Sequence, residues 1–551
     1  MICFLHGYLL EGSGSNLWTR SVLEALSREG HVVHLMAQEN HPERYPFIRE
    51  AKVYRRNGSV DIVHRGEPSD EAGCILHKPE LGDPLPVYVK DRYEEFKRPV
   101  PMAELDDAII EQYIEANVRV LRQIVESTEI DVIHANHAVL MSVVAMRIHD
   151  ELGIPYVVMP HGSAIEYAVK RDDRMKAFAE KAFNKAERIL LIGGELRERL
   201  HSVLPSVPDL DSKMVSLRLG VDTSAFEPVD RDRRDEAVEG LKLQLEGLER
   251  GKRRRDTDRL LSEVRNDPSI TDLRRVFEST SNYELKNPDA DLEEKLDGMD
   301  WKQGRTLLYV GRLIANKGPQ NILAALPLVL EEEPDLRFVI VGHGPLREPL
   351  EAIVAALSAG NRRLVREIVR LGREIEQTDD GPASLHEWEL FFAELERRGE
   401  LESYFESAEA TIDRDRVIFT GYLTHRELRF LFPCFDVAVF PSLVREAGPL
   451  VFLEALASGV FPLGTYFGGM KASIDSLSGV VDDDDRDLMK IDPEPDRLIF
   501  DLAEKLPRAM QKGDRWRNAL RHAAVEHYDW RSVAGTLNAT LEIVAQKKTA
   551  E

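Results

Sequence analysis

Cysteine is nearly missing from this 551-residue chain: Cys3, Cys74 and Cys434 stand far apart and form no C-x-x-C pair. That usage excludes a disulfide framework and points to a reducing compartment, so a cytoplasmic location is expected. No apolar run approaches the roughly 20 residues of a membrane span, and residues 1–10 lack the basic flank and cleavage site of a signal peptide. Cations are also in deficit. Lys and Arg total 73 against 97 Asp and Glu, a formal net charge of −24, which disfavours a generic nucleic-acid coat because phosphate binding needs clustered positive charge. No short repeat recurs at fixed period, which excludes a solenoid. The dinucleotide fingerprint is missing too: Gly12-x-Gly14 meets Leu17 where G-x-G-x-x-G needs its third glycine.

What is present is globular, with 43% hydrophobic and 31% charged residues. Short apolar runs alternate with helical periodicity: Ile2 to Leu5, a Gly12-Ser13-Gly14-Ser15 turn, Leu17, Val22, Leu23 and Leu26 at helical spacing, then Val32 to Leu35. The pattern returns at Val132-Ile133-His134, Tyr156 to Met159 and Ile189 to Ile192, and predicts parallel strands joined by right-handed crossovers. It stops between about 229 and 300, where 18 of residues 231–260 are charged, including Lys252-Arg253-Arg254-Arg255. Leu241, Leu245 and Leu248 leave a thin apolar stripe there, and a salt-bridged surface helix is the expectation. Alternation resumes at Leu307 to Val310 and Phe338 to Val341. It breaks again at about 360–415, where two helical stripes predict an inserted hairpin, and continues at Val417 to Phe419, Val437 to Phe440 and Val460 to Leu463.

Three stretches carry chemistry. The Gly-Ser-Gly-Ser turn sits between a strand and a helix N-terminus, where backbone N–H groups and the helix dipole favour an anion. Gly311-Arg312-Leu313-Ile314-Ala315-Asn316-Lys317-Gly318 follows a strand and delivers two cations five residues apart to the edge where α/β sheets bind ligands; Gly342-His343-Gly344-Pro345 follows the next strand. In Phe440-Pro441-Ser442-Leu443-Val444-Arg445-Glu446-Ala447-Gly448-Pro449-Leu450, Pro449 suits a first helical turn and Glu454 follows one and a half turns on. Two carboxylates there suit a ligand rich in hydroxyls, such as a sugar; the plainer alternative is helix capping by Glu446 and a surface place for Glu454.

The E-x7-E spacing from Glu446 to Glu454, the preceding Phe-Pro-Ser, Gly-Arg-x4-Lys-Gly at 311–318, and Leu219-Gly220-Val221-Asp222-Thr223-x2-Phe226 together resemble the family 4 retaining glycosyltransferases. The resemblance implies an α/β chain of GT-B architecture: two Rossmann-like doubly wound domains facing across a cleft, with two helical insertions. Residues 1–219 would form the acceptor-side domain, with a C-terminal helix at about 529–547 packing back on it after Tyr528-Asp529-Trp530. Residues 220–528 would bind the nucleotide sugar and carry the insertions at about 229–300 and 360–415. It further implies that Arg312 and Lys317 hold the donor diphosphate, Glu454 accepts the ribose hydroxyls and Glu446 reaches the transferred sugar. Gly14, Gly342, Gly448, Leu450 and Val451 approach the donor, Asn16 lies on the acceptor side, and His161, in Met159-Pro160-His161-Gly162, is the cleft histidine. The segment Val460-Phe461-Pro462-Leu463-Gly464-Thr465 departs from the family's usual Pro-Val-Ile before its Gly-Gly, here Gly468-Gly469.

The expected activity is a hexosyltransferase-type transfer from a nucleotide-diphosphate sugar to an unidentified saccharide, small-molecule or lipid-linked acceptor, with retention. It calls for no cofactor beyond that co-substrate and no obligatory metal, since Asp230-x-Asp232, Asp289-x-Asp291 and Asp413-x-Asp415 fall in charged, strand-poor stretches. A non-catalytic nucleotide-sugar-binding scaffold and a sugar-nucleotide epimerase of similar architecture stand as alternatives. No nucleic-acid partner is expected. The insertions leave room for self-association, and nothing argues against peripheral membrane contact.

Overall fold

A computed structural model describes residues 1–66, 72–88, 95–264, 268–280, 286–376, 383–446 and 448–548. The chain divides into two compact units, Met1–Gly220 with His527–Glu551, and Val221–Glu526.

The first unit is built on β1 (Ile2–Leu5), β2 (Val32–Met36), β3 (Ile48–Tyr54), β4 (Val60–Arg65), β5 (Gly73–Pro79), a separate ribbon of β6 (Leu85–Val87) and β7 (Pro99–Pro101), then β8 (Val132–Asn136), β9 (Tyr156–Met159), β10 (Arg188–Ile192) and β11 (Met214–Leu217). The main sheet runs β11-β10-β9-β8-β1-β2-β5-β3-β4, parallel except for the β3–β4 hairpin. Its central strands are buried, as their near-continuous apolar runs require of a parallel sheet covered on both faces. Helix Gly14–Arg28 follows β1, with the Ser13 hydroxyl accepting from the Asn16 N–H as its cap. The last helix, Trp530–Lys548, returns to this unit and buries Val533, Leu537 and Leu541 in its core. Gly220 is where the chain must pass the Trp530 indole, since a Cβ there would come within 2.3 Å of the ring.

The second unit carries β12 (Thr306–Val310), β13 (Arg337–Val341), β14 (Val417–Gly421), β15 (Val437–Phe440), β16 (Phe461–Thr465) and β17 (Lys490–Ile491). They form one parallel sheet in the order β14-β13-β12-β15-β16-β17. Numbered from β12, that is 3-2-1-4-5-6, the doubly wound order, and its direction reverses between β12 and β15. The first unit reverses likewise between β1 and β8. Both units are thus Rossmann-like.

The insertions differ from expectation in two respects. The one at 360–415 holds, among the described residues, three α-helices, Arg362–Leu371, His386–Arg398 and Leu401–Thr411, where a hairpin was expected. Gly372 ends the first, so Ile375 falls in a 3-10 turn beyond it. The Trp388 indole N–H reaches the Gln320 carbonyl (3.0 Å) and the Tyr404 hydroxyl the Ala324 carbonyl (2.9 Å), which fastens the bundle to helix Pro319–Glu332. In the charged stretch, Lys252 is buried and not a surface cation. It pairs with Glu348 (3.4 Å) and Glu351, while Arg347 holds Asp289 (2.7 Å) and Glu351 (2.9 Å). Arg234, fully buried, pairs with Asp436 (2.8 Å), whose other oxygen accepts from the Thr306 N–H at the start of β12 (3.0 Å). Lys252 and Arg234 are buried because their carboxylate partners lie outside the insertion, on the body it packs against, which charge density alone does not reveal.

Candidate functional site

The reversal between β12 and β15 splays their outgoing loops apart, and this is where a doubly wound sheet leaves a crevice at its carboxyl edge. The β12 loop supplies Arg312, exposed, and Lys317, at the end of the 3-10 turn Ala315–Lys317. The β15 loop supplies Glu446; Ala447 lies outside the described residues. The loops are cross-braced: Leu443 N–H donates to the Asn316 carbonyl (2.8 Å), and a Cβ on Gly318, at φ 74°, would sit 2.0 Å from the Pro441 carbonyl oxygen. Lys317 Nζ and Glu446 Oε2 meet at 2.8 Å, both partly exposed. Gly342 lies in the β13 loop, pressed under Gly311, and Leu313 N–H donates to the His343 carbonyl (2.8 Å), so the β12 and β13 loops form one ledge. Burial, then the charges of Lys286 and Arg312, hold the His343 imidazole down to about 4, neutral at physiological pH.

Helix Leu450–Ala457 starts behind the β15 loop with Pro449 at its cap position, after Gly448. The N–H groups of Leu450 and Val451, in the first turn, have no intrahelical partner and no other partner among the described residues, so they suit an anion or a sugar oxygen. Glu454 lies deeper and is almost fully buried. Its Oε1 accepts from His425 Nε2 at 2.7 Å, and its Oε2 has no hydrogen-bond partner among the described residues. A buried carboxylate oxygen left open costs stability unless something fills it. Glu454 is thus not at the surface, and Glu446 caps no helix: its backbone carbonyl instead accepts from Gly469 N–H (2.7 Å).

The first unit gathers a second cluster at the reversal between β1 and β8. His6 follows β1, Asn136 ends β8, His137 follows it, and His161 lies just past β9. His6 Nε2 faces Asn16 Oδ1 (2.9 Å) and the Leu9 carbonyl (3.0 Å), so acceptors on that side place the proton on Nε2. His161 Nε2 likewise faces Asn136 Oδ1 (3.1 Å), which leaves Nδ1 as its unprotonated nitrogen. Asn136 Nδ2 donates to Thr19 Oγ1 (3.0 Å). His137 sits at φ 73°, its ring 4.7 Å from that of His161. Burial, with the charges of His6 and His134, pushes His161 down to about 3; burial also brings His6 to about 4. These imidazoles are neutral hydrogen-bonding groups at pH 7. Asn16 is buried inside this network, its amide spent on His6 and the Glu11 carbonyl. Gly14 begins the first helix exposed, with nothing within 4 Å of where a Cβ would be, so its packing alone does not demand glycine.

The expected residues thus fall into two groups: Arg312, Lys317, Gly342, Glu446, Gly448, Leu450, Val451 and Glu454 on the second unit, and Gly14, Asn16 and His161 on the first. Sequence reasoning missed His6, Asn136, His137 and His425. The first three had a usable signal, a polar residue closing an apolar strand; His425, opening a short helix after Thr424, had none. Of the three D-x-D stretches, Asp289 is buried in its ion pairs with Arg347 and Lys295, and Asp413 caps the N–H groups of Asp415 and Arg416.

Two family models match the chain: Glycosyltransferase Family 4 over residues 12–225, and Glycosyl transferases group 1 over residues 298–365 and 382–487. No curated protein matches it. Solved structures with a similar fold include a sucrose-phosphate synthase from Thermosynechococcus elongatus (14% identity, covering 100% of this chain and 99% of that one, TM-score 0.52). A glycosyltransferase from Rickettsia africae is similar at 13% identity (99% and 97% covered, TM-score 0.53). The catalytic domain of starch synthase IV from Arabidopsis thaliana is similar at 14% identity (100% and 99% covered, TM-score 0.53).

Proposed function

The chain is a glycosyltransferase of GT-B fold, and from that premise we propose that it is a family 4 enzyme that moves a hexose from a nucleotide diphosphate to an acceptor hydroxyl with retention of anomeric configuration and without a metal. The observation that carries the donor assignment is the pairing of Lys317 with Glu446 at the sheet's reversal point, in front of a buried Glu454 with one open oxygen. In this reading the ribose hydroxyls donate to Glu454 Oε2, and the diphosphate takes Arg312, Lys317 and the first-turn N–H groups of Leu450 and Val451. Glu446 then accepts from a hydroxyl of the transferred sugar.

In the transfer, the bond from the anomeric carbon to the phosphate oxygen breaks and the electron pair leaves with the phosphate. The acceptor oxygen bonds to the anomeric carbon on the same face, and its proton passes to the departing phosphate oxygen. Negative charge grows on that phosphate. Preorganised donors aimed at such charge are each worth about 3–4 kcal/mol in the transition state. His161, neutral and with Nδ1 open, suits a hydrogen bond from a sugar hydroxyl. The acceptor-side role of the first unit and a cytoplasmic setting belong to the same reading; no helix among the described residues is long and apolar enough to cross a membrane.

The test is incubation of the purified protein with a panel of nucleotide sugars in the presence of a chelator, followed by NMR of the products. Release of nucleoside diphosphate with a product of unchanged anomeric configuration supports the reading. An epimerised nucleotide sugar without transfer points to the epimerase alternative, and binding without turnover points to the scaffold.

A further inference from the structure

The donor assignment leaves the charged insertion unused, yet the insertion is stitched to the sheet next to the donor loops. The Asn287 carbonyl accepts from Tyr422 N–H (3.0 Å), Asp289 N–H donates to the Thr420 carbonyl (2.8 Å), and Pro288 bridges Gly421 in antiparallel fashion. This short added strand therefore lies along the carboxyl end of β14. A Cβ on Gly421 would come within 2.6 Å of the Asn287 carbonyl oxygen, so the approach is close. Asp289 anchors it from within through Arg347 (2.7 Å) and Lys295 (2.6 Å), and Gly251 N–H grips the Pro288 carbonyl (2.8 Å).

Immediately before the paired segment stands Lys286, exposed. Tyr422, which Asn287 holds, packs its ring edge-on against His343 at 4.9 Å, and His343 belongs to the same ledge as Arg312. Lys286 thus leads directly into the segment that holds Tyr422 against His343, and its charge and that of Arg312 both bear on that imidazole. The balance of charge gives Lys286 a purpose. Glu446 offsets Lys317, and a diphosphate carries at least two negative charges, so a further cation beside the ledge improves the match; Lys286 supplies it.

We propose that Lys286 is a third donor-binding cation, contributed by the insertion, that contacts the phosphates of the nucleoside diphosphate. This rests on the donor reading of the Arg312–Lys317–Glu446 site. It gives the insertion a part in substrate recognition that its sequence, charged and without a motif, does not announce.

The test measures uridine, guanosine and adenosine diphosphate binding by calorimetry, and donor KM and kcat, for the unaltered protein and for Lys286→Ala, Lys286→Arg, Lys317→Ala and Lys302→Ala, the last an exposed lysine just past the insertion that pairs with its Asp235. The expected result is a Kd and donor KM raised about three- to tenfold in Lys286→Ala, affinity restored in Lys286→Arg, and Lys302→Ala like the unaltered protein. Unchanged affinity in Lys286→Ala alongside lost affinity in Lys317→Ala overturns the proposal and leaves the donor reading standing. A loss that Lys286→Arg does not restore also overturns it. Failure of the unaltered protein to bind any of the three diphosphates overturns both.

Discussion

His425 Nε2 lies 2.7 Å from Glu454 Oε1, and the other oxygen of that buried carboxylate is left open. One side of the carboxyl group is thus fixed by the protein and the other is kept for a donor from elsewhere, so Glu454 is oriented before a ligand arrives. A hydrogen bond to a charged group contributes about 1.5–3 kcal/mol. Glu454→Gln should therefore weaken nucleoside diphosphate binding at least tenfold, and 2′- and 3′-deoxy analogues should bind the unaltered protein correspondingly less well. Calorimetry checks both, and a fully deoxygenated ribose bound as tightly as the parent would sink the ribose assignment.

The Lys317–Glu446 pair calls for a different outcome. Both side chains are partly exposed, and such a pair contributes no more than about 1 kcal/mol to folding. Lys317→Met should lower the melting temperature by no more than about 3 °C while turnover falls about 100- to 1,000-fold. A variant that turns over at the unaltered rate removes Lys317 from the chemistry.

Strand-by-strand alternation made the two α/β halves legible, because buried parallel strands must be apolar along their whole length, as in Ile189 to Ile192 and Val437 to Phe440. The β3–β4 hairpin was not legible: β4 is exposed almost throughout and carries no burial pattern to read. Arg312, Lys317, Glu446 and Glu454 could be singled out because local spacing carries them. The order that sets β12 beside β15 is a property of the whole sheet, and so is the meeting of His6, Asn136 and His161. Lys252 and Arg234 were misread for a related reason: a cation's neighbours in sequence say whether it is solvated only if its partners are also local, and Glu351 and Asp436 are not.

Arg347→Met tests the buried ionic network. It strands Asp289 and Glu351 without their guanidinium, and breaking a buried pair costs about 3–5 kcal/mol. Burial pushes the Glu351 carboxyl up, but Arg347 and Lys252 outweigh it and hold it at about 2, against an ordinary 4.5. A depressed carboxylate adds stability above its unfolded value and loses it as pH falls, here between about 4.5 and 2. Urea unfolding should show that acid limb in the unaltered protein and a smaller one in the variant.

The first unit should respond to acid earlier. Burial lowers His6 and His34 to about 4 and His134 and His161 to about 3, and His77 and His137 lie well below the ordinary 6.5. A histidine with a lowered folded pKa binds its proton more readily unfolded, so the stability it contributes is complete above about 6.5 and declines as pH falls from there. Each such group adds up to about 1.4 kcal/mol per pH unit to the slope. Unfolding between pH 6 and 4 should take up several protons per molecule, measurable from the pH dependence of urea denaturation. Uptake of one proton or none would show these imidazoles to be solvated.

Helix Trp530–Lys548 has a consequence for biosynthesis. Its apolar side completes the core of the first unit, yet all of Val221–Glu526 is translated before it. On the ribosome the donor-binding unit is contiguous and can fold as it emerges, whereas the unit begun first must wait, with the surface meant for Val533, Leu537 and Leu541 uncovered, until that helix too has emerged.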